Sequence, residues 1–319
     1  MENIISDLAK NKLKGIIPVV QIPFDEYLKI DWKSLENLIN YTLENEVSGM
    51  LIPAFASERE SLSKKEVTDL VSFTCKIVGS NLPVIGCATD STLEKCIFNA
   101  NSFFDNGVNL NLISAPIKLR NTKNKDNDAA VFEYFEYFSK NIKTDFIIQD
   151  ISFIDNGMEI NLLEKLYNNI PNLVGYKIET KNANKKYTLI KDLVDKNCFL
   201  AGGWSVTQLI EGLDRGIDAI IPECSMVKIY NRILKTYNSG NRDLALKKFQ
   251  ELIPILNFSN QDIYLSISFF KKLLKIKKII KTDKCRQDFW EWDKYNSKIA
   301  EELIDYYVQL EKDQNDEIL

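Results

Sequence analysis

The chain has 319 residues, 45% hydrophobic and 27% charged, which suits a globular fold with a large core in one big domain or two medium ones. A net charge of −4, with a pI near 5.3, gives no basic surface for nucleic acid or acidic membrane. There is no histidine, which excludes Ser-His-Asp and Cys-His nucleophile systems, histidine metal sites and histidine acid/base chemistry.

Six cysteines, at 75, 87, 96, 198, 224 and 285, show no CxxC spacing. They read as small buried residues in a reducing compartment, not as a disulfide framework or a metal site. The opening MENIISDLAKNKLKG lacks the apolar core of a signal peptide, and no stretch approaches the roughly 18 apolar residues of a membrane span. A cytoplasmic location is expected.

Taken in order, apolar runs alternate with amphipathic stretches. The first run is GIIPVVQIPF (15–24), followed by a helix from Asp31, its N-cap, to about residue 46. The second is SGMLIP (48–53), and its helix runs from Ser63 to about 78 behind an SKKE capping box. LPVIG (82–86) precedes a helix over 91–104, and VNLNLIS (108–114) leads through a polar loop to a helix over 128–141. DFIIQ (145–149) and a helix over 162–169 follow, then LVGYKI (173–178) with a helix over 184–195. CFLA (198–201) with a helix over 205–215 and IDAII (217–221) complete eight runs.

Runs that are apolar throughout are buried on both faces, and their alternation with helices predicts parallel strands with helical crossovers. Eight units favour a closed (β/α)8 TIM barrel over an open sheet, and no glycine-rich phosphate loop follows the first strand. Beyond residue 221 the pattern is helical only, over about 225–237, 242–256, 260–275 and 293–312. The expected organisation is a barrel over 1–223 with a short N-terminal segment, and C-terminal helices over 224–319. Those helices would pack on the barrel and build a homo-oligomer interface, as a dimer or tetramer.

PNLVGYKIET (171–180) carries the chemistry. Alternation puts Gly175, Lys177 and Glu179 on one strand face, and Val174, Tyr176 and Ile178 on the other. A lysine facing an apolar interior is costly in its charged form, and an amine freed of its proton attacks carbonyls. The strand alone also allows an interior Lys177–Glu179 ion pair with no chemistry. Barrel active sites, however, lie at the C-terminal ends of the strands. That rule collects Phe24, Ala54–Glu58, Ala115–Lys118, Gln149, Asp150, Lys177, Glu179, Gly202, Gly203, Trp204, Pro222, Glu223 and Cys224.

At these positions the sequence resembles the dihydrodipicolinate synthase / N-acetylneuraminate lyase family of Schiff-base aldolases. IPF (22–24) is similar to the family's TPF, and Ala54-Phe-Ala-Ser-Glu58 with RESL stands where the family has GTTGE-SxTL. LPVIG resembles its third strand, and VGYKIE (174–179) resembles VGIKE, whose lysine forms the imine. The likeness runs through LAGGW and GIDAIIP to the C-terminal helices. It implies Lys177 as imine former, no cofactor and a small-molecule 2-keto acid as partner. Two departures mark a divergent branch. The family's tyrosine after strand five is replaced by Gln149 with Asp150 behind it, and its threonine pair by Phe55 and Ala56.

The expected catalytic group is therefore Lys177, Glu179 as proton carrier and Gln149 as orienting amide, since an amide does not titrate. Substrate contacts are expected from Phe55, Ala56, Ser57, Asp150, Gly202 and Pro222. The expected activity is that of a lyase on a 2-keto acid: aldol cleavage or addition, or dehydration of a 3-deoxy-2-keto sugar acid. The lost tyrosine and threonines leave a second reading, a lapsed enzyme that binds a metabolite or partner. A third is a barrel with unrelated chemistry using Glu58, Glu179 or Glu223 as a carboxylate pair, as in glycoside hydrolysis.

Overall fold

The computed structural model describes residues 13–120, 125–152, 156–203 and 207–316. Trp204 and Ser205, the latter expected to open a helix, lie outside these residues, as does part of the polar loop before residue 128. Within them the chain divides into two compact units. The first runs to Ile17 and adds Ser48–Ile52 and Lys64–Pro222. The second comprises Pro18–Val47, Pro53–Ser63 and the chain from Glu223 on.

In chain order the barrel elements are β1 (Gly15–Ile16), α1 (Trp32–Glu44), β2 (Met50–Ile52), α2 (Lys64–Val78), β3 (Val84–Cys87), α3 (Leu93–Asp105) and β4 (Leu110–Ile113). Then come α4 (Ile117–Arg120), α5 (Lys125–Lys140), β5 (Phe146–Ser152), α6 (Ile160–Asn169), β6 (Leu173–Thr180), α7 (Ala183–Leu189), β7 (Phe199–Gly202), α8 (Leu209–Asp214) and β8 (Ala219–Ile220). All eight strands fall in the first unit and are parallel, in the order β1-β8-β7-β6-β5-β4-β3-β2. The two ends of that order are joined where Ser48 N–H donates to Ile16 O at 2.8 Å. This is the (β/α)8 barrel expected from the eight apolar runs, and the strand residues are buried almost throughout.

After β8 the elements among the described residues are all helices: α9 (Val227–Asn238), α10 (Arg242–Gln250), α11 (Ile253–Ser259), α12 (Ile263–Ile276) and α13 (Lys294–Asp316). The expected single helix over 242–256 is two, because Pro254 sits in the first turn of α11. Proline has no N–H to continue the ladder, yet it is well suited to a first turn. Asp31 caps α1 as expected, its carboxylate accepting from Ser34 N–H at 3.0 Å.

The strands differ from expectation where the site lies. β5 continues through Gln149 and Asp150 to Ser152, and β6 continues through Glu179 to Thr180. Polar residues at these ends read as loop, but the two strands pair with each other to their last residues. The ladder also slips by one between Phe146 and Ile147, which face Leu173 and Gly175. Val174 is thus an extra residue on β6. In an unslipped ladder Gln149 would face Tyr176, and with the slip Gln149 faces Lys177. Bulges of this kind re-aim side chains.

Gly175, just after the bulge, lies where β6 and β7 close up. A Cβ there would stand 2.7 Å from the Phe199 carbonyl carbon and closer to its oxygen. Backbone cannot yield as a side chain does, so Gly175→Ala is expected to cost about 3 kcal/mol. A denaturant titration measures this, and an unchanged midpoint would show that the strands separate freely.

Candidate active site

Three polar side chains meet inside the first unit. Lys177 Nζ lies 3.0 Å from Glu179 Oε2, with the two side chains only 5% and 10% exposed. Gln149 Nε2 donates to the same Glu179 oxygen. Their meeting follows from backbone geometry. Lys177 and Glu179 are two apart on β6 and share a face, and the bulge brings Gln149 into register with Lys177.

Gly203, one residue past β7, completes the wall. A Cβ there would stand 2.6 Å from Lys177 Cε and closer still to the Glu179 carboxylate. Any larger residue would displace the carboxylate. A tight turn already accounts for a glycine pair here, and contact with the lysine–glutamate pair is an additional reason for Gly203. Gly202 is the last residue of β7, in register with Ile178. Pro222 is buried just past β8.

Asp150 corrects an expectation. It is one residue from Gln149 on a strand, so it faces the opposite side and does not join Lys177. It is fully buried and paired with Lys186 of α7, which also donates to Asn156 O at 2.5 Å. Its other oxygen accepts from Met158 N–H at 3.0 Å. Gly157 closes over that carboxylate at a φ of +68°, a left-handed conformation that glycine adopts without strain. Asp150 is thus a structural anchor between β5 and α7. Lys186 reads in sequence as a surface lysine, and no local signal marks it as Asp150's partner.

The second unit holds Phe24, Ala54–Glu58, Glu223 and Cys224. Phe55–Ser57 form a 3-10 turn after β2. Ser57 is buried, and its hydroxyl donates to Val20 O at 2.6 Å and accepts from Ala54 N–H at 3.1 Å, so it serves the turn. The Ser57 and Glu58 N–H groups are bonded to Ala54 O and Phe55 O. Phe55 is half exposed and Ala56 partly so.

Glu58 is fully buried, paired with Lys271 of α12, and accepts from Gln287 N–H at 2.7 Å. Lys271 Nζ also lies 4.4 Å from the centre of the Phe24 ring, with the Arg286 guanidinium 4.5 Å from the same centre. Phe24 and Glu58 are therefore packing and pairing residues. Lys118 is exposed on α4.

Glu223 accepts from Ser225 N–H and, at 3.3 Å, from Met226 N–H, just ahead of α9. Burial pushes its carboxyl up to about 7, against the lowering effect of those hydrogen bonds and of Lys277. Cys224 donates to Val19 O at 3.3 Å, and burial drives its thiol up to about 12. A carboxylate pair built on Glu58 and Glu223 finds no support, since each is held by its own partners. Among the described residues no cluster of three His, Cys, Asp or Glu is placed to hold a metal ion, and no helix is long and apolar enough to cross a membrane.

The sequence model of the dihydrodipicolinate synthetase family matches residues 12–306. A 4-hydroxy-tetrahydrodipicolinate synthase of Buchnera aphidicola is 26% identical over 247 residues, covering 76% of this chain and 81% of that protein. An L-2-keto-3-deoxyarabonate dehydratase of Azospirillum brasilense is 22% identical over 252 residues, 78% of this chain and 80% of that protein. The crystal structure of dihydrodipicolinate synthase from Oceanobacillus iheyensis matches with a TM-score of 0.84 at 16% identity, covering 96% of this chain and 99% of that one. At that identity the likeness speaks to fold.

Glu223 links stability to pH. Its carboxyl pKa is higher in the folded chain (about 7) than the ordinary 4.5. The folded state thus holds a proton that the unfolded state releases. The resulting stability is full below 4.5 and is lost as pH rises through about 7. Unfolding free energies from urea titrations at about pH 5 and about pH 8 should differ by up to about 3 kcal/mol more in the wild type than in Glu223→Gln. Equal differences would show that Glu223 titrates normally.

Proposed function

The chain belongs to the dihydrodipicolinate synthetase family, and we propose that it is a lyase which binds a 2-keto acid as an imine on Lys177 and removes water from a 3-deoxy-2-keto sugar acid. The observation that carries this reading is the Glu179 carboxylate 3.0 Å from Lys177 Nζ, inside the barrel.

Lys177 passes its ammonium proton to Glu179, and the free amine attacks C2 of the keto acid. The carbinolamine loses water and leaves a protonated imine, an electron sink for C3. Glu179, freed of its proton by that water loss, takes a C3 proton and gives an enamine. The enamine expels the C4 hydroxyl, which takes a proton from solvent and leaves as water, while Glu179 returns the C3 proton to solvent. Hydrolysis of the imine returns Lys177 and releases the product, with a net loss of one water.

Dehydration is preferred to aldol cleavage for a chemical reason. Aldol cleavage removes a proton from the C4 hydroxyl, further from the imine nitrogen. The family tyrosine that would serve there is Gln149 in this chain, and an amide does not titrate. Dehydration needs its base at C3, beside the nitrogen, where Glu179 stands. The Azospirillum brasilense relative named for dehydration of a 3-deoxy-2-keto acid supports the same choice. Gln149 acts by orienting the carboxylate.

Borohydride trapping with pyruvate and with 2-keto-3-deoxyarabonate, followed by mapping of the modified residue, tests the reading. An adduct on Lys177 is expected. Glu179→Gln should still reach the Lys177 adduct, more slowly, and lose turnover by roughly 100-fold or more. An adduct that survives in Lys177→Ala would contradict the assignment. Ligand-dependent thermal stabilisation without any adduct would favour the lapsed-enzyme reading.

A further inference from the structure

We propose that Thr89 and Ser114 form a subsite for the hydroxylated tail of the keto acid, making the barrel selective for sugar acids over short 2-keto acids. The proposal rests on the imine reading of Lys177 and names the substrate class of that site.

Strand register places these residues. Cys87 pairs with Leu112, so two residues on Thr89 stands beside Ser114. Ile113 pairs with Ile148, so Ser114 stands beside Gln149, and Gln149 pairs with Lys177. Thr89, Ser114, Gln149 and Lys177 are thus one row across four neighbouring strand ends. Partners in a parallel ladder share a face. Gln149 and Lys177 reach the same Glu179 oxygen, so the face is that of the imine.

The hydroxyl contacts indicate spare capacity. Ser114 N–H donates to Thr89 Oγ1 at 3.0 Å, which ends the β3–β4 ladder with a side chain. That role needs only the Thr89 oxygen. The two hydroxyl oxygens are 3.5 Å apart, the outer limit of a hydrogen bond, so neither proton is firmly committed. Ser114 is 6% exposed and Thr89 is partly exposed. An alanine at 114 would serve the ladder equally well, so the serine hydroxyl is left for another task.

Chemistry selects the ligand group. The row carries one cation, Lys177, and that amine is used at C2. Thr89 and Ser114 offer neutral donors and acceptors, and the residue after Thr89 is the acid Asp90. A substrate carboxylate gains no counter-charge here, whereas an alcohol both donates and accepts. Neighbouring strands are about 4.8 Å apart, so the backbones at Ser114 and Lys177 are separated by roughly 10 Å along the sheet. The lysine side chain spans part of that, and a few hydroxylated carbons span the rest. Pyruvate, which ends at C3, does not reach.

The test compares the half-saturating concentration for borohydride trapping of pyruvate and of 2-keto-3-deoxyarabonate in the wild type and in Ser114→Ala. For the sugar acid the value should rise by roughly 3- to 10-fold, the worth of one neutral hydrogen bond. The pyruvate value should stay the same, which also shows that the variant is folded. Equal changes for both ligands, no change for either, or a wild type that traps pyruvate alone would overturn the subsite and leave the Lys177 imine standing. Absence of any adduct in the wild type would instead overturn the reading beneath it.

Discussion

A lysine buried in an apolar barrel must have a partner, and much of the local architecture follows from that requirement. The Lys177–Glu179 pair is almost wholly withdrawn from water. Taking two charges out of water costs several kcal/mol per ion, repaid only when geometry and further hydrogen bonds are good. Gln149 supplies the further bond. Gly203 supplies room for the carboxylate, and the bulge at Val174 brings Gln149 opposite the lysine and not the tyrosine before it. A pair assembled at this cost is weak support for stability alone, and its position is where barrel chemistry occurs.

The opposite faces of the same strands secure them. Tyr176 donates to Leu163 O at 2.6 Å, and Asp150 holds Lys186. Adjacent residues on β5 and β6 therefore divide their work: one face carries Gln149, Lys177 and Glu179, and the other ties the strands to α6 and α7. The second unit has its own buried pair, Glu58 with Lys271, and Phe24 lies against that lysine.

The barrel was legible because strands buried on both faces read as unbroken apolar runs, and eight of them alternate with amphipathic stretches. The shared face of Gly175, Lys177 and Glu179 follows from alternation alone. Asp150 reads as a substrate contact because it follows directly on DFIIQ at a strand end, while pairing with β6 carries the strand on to Ser152 and turns the aspartate outward. Its true partner, Lys186, is 36 residues away. Glu58 is bound to a lysine 213 residues on, a contact that no local pattern signals. Thr89 and Ser114 carry no sequence signal, since single hydroxyl residues at strand ends are common, and only the register puts them in a row with Lys177.

In the proposed reaction Glu179 moves the C3 proton of an imine held by Lys177. Pyruvate in deuterated water, followed by proton NMR, tests it most directly, because enamine formation exchanges the methyl protons and nothing else is consumed. The wild type should exchange them, and Glu179→Gln should still form the trapped adduct while exchange slows by roughly 100-fold or more. Exchange at an unchanged rate in Glu179→Gln, or none in a wild type that forms the adduct, would contradict the account.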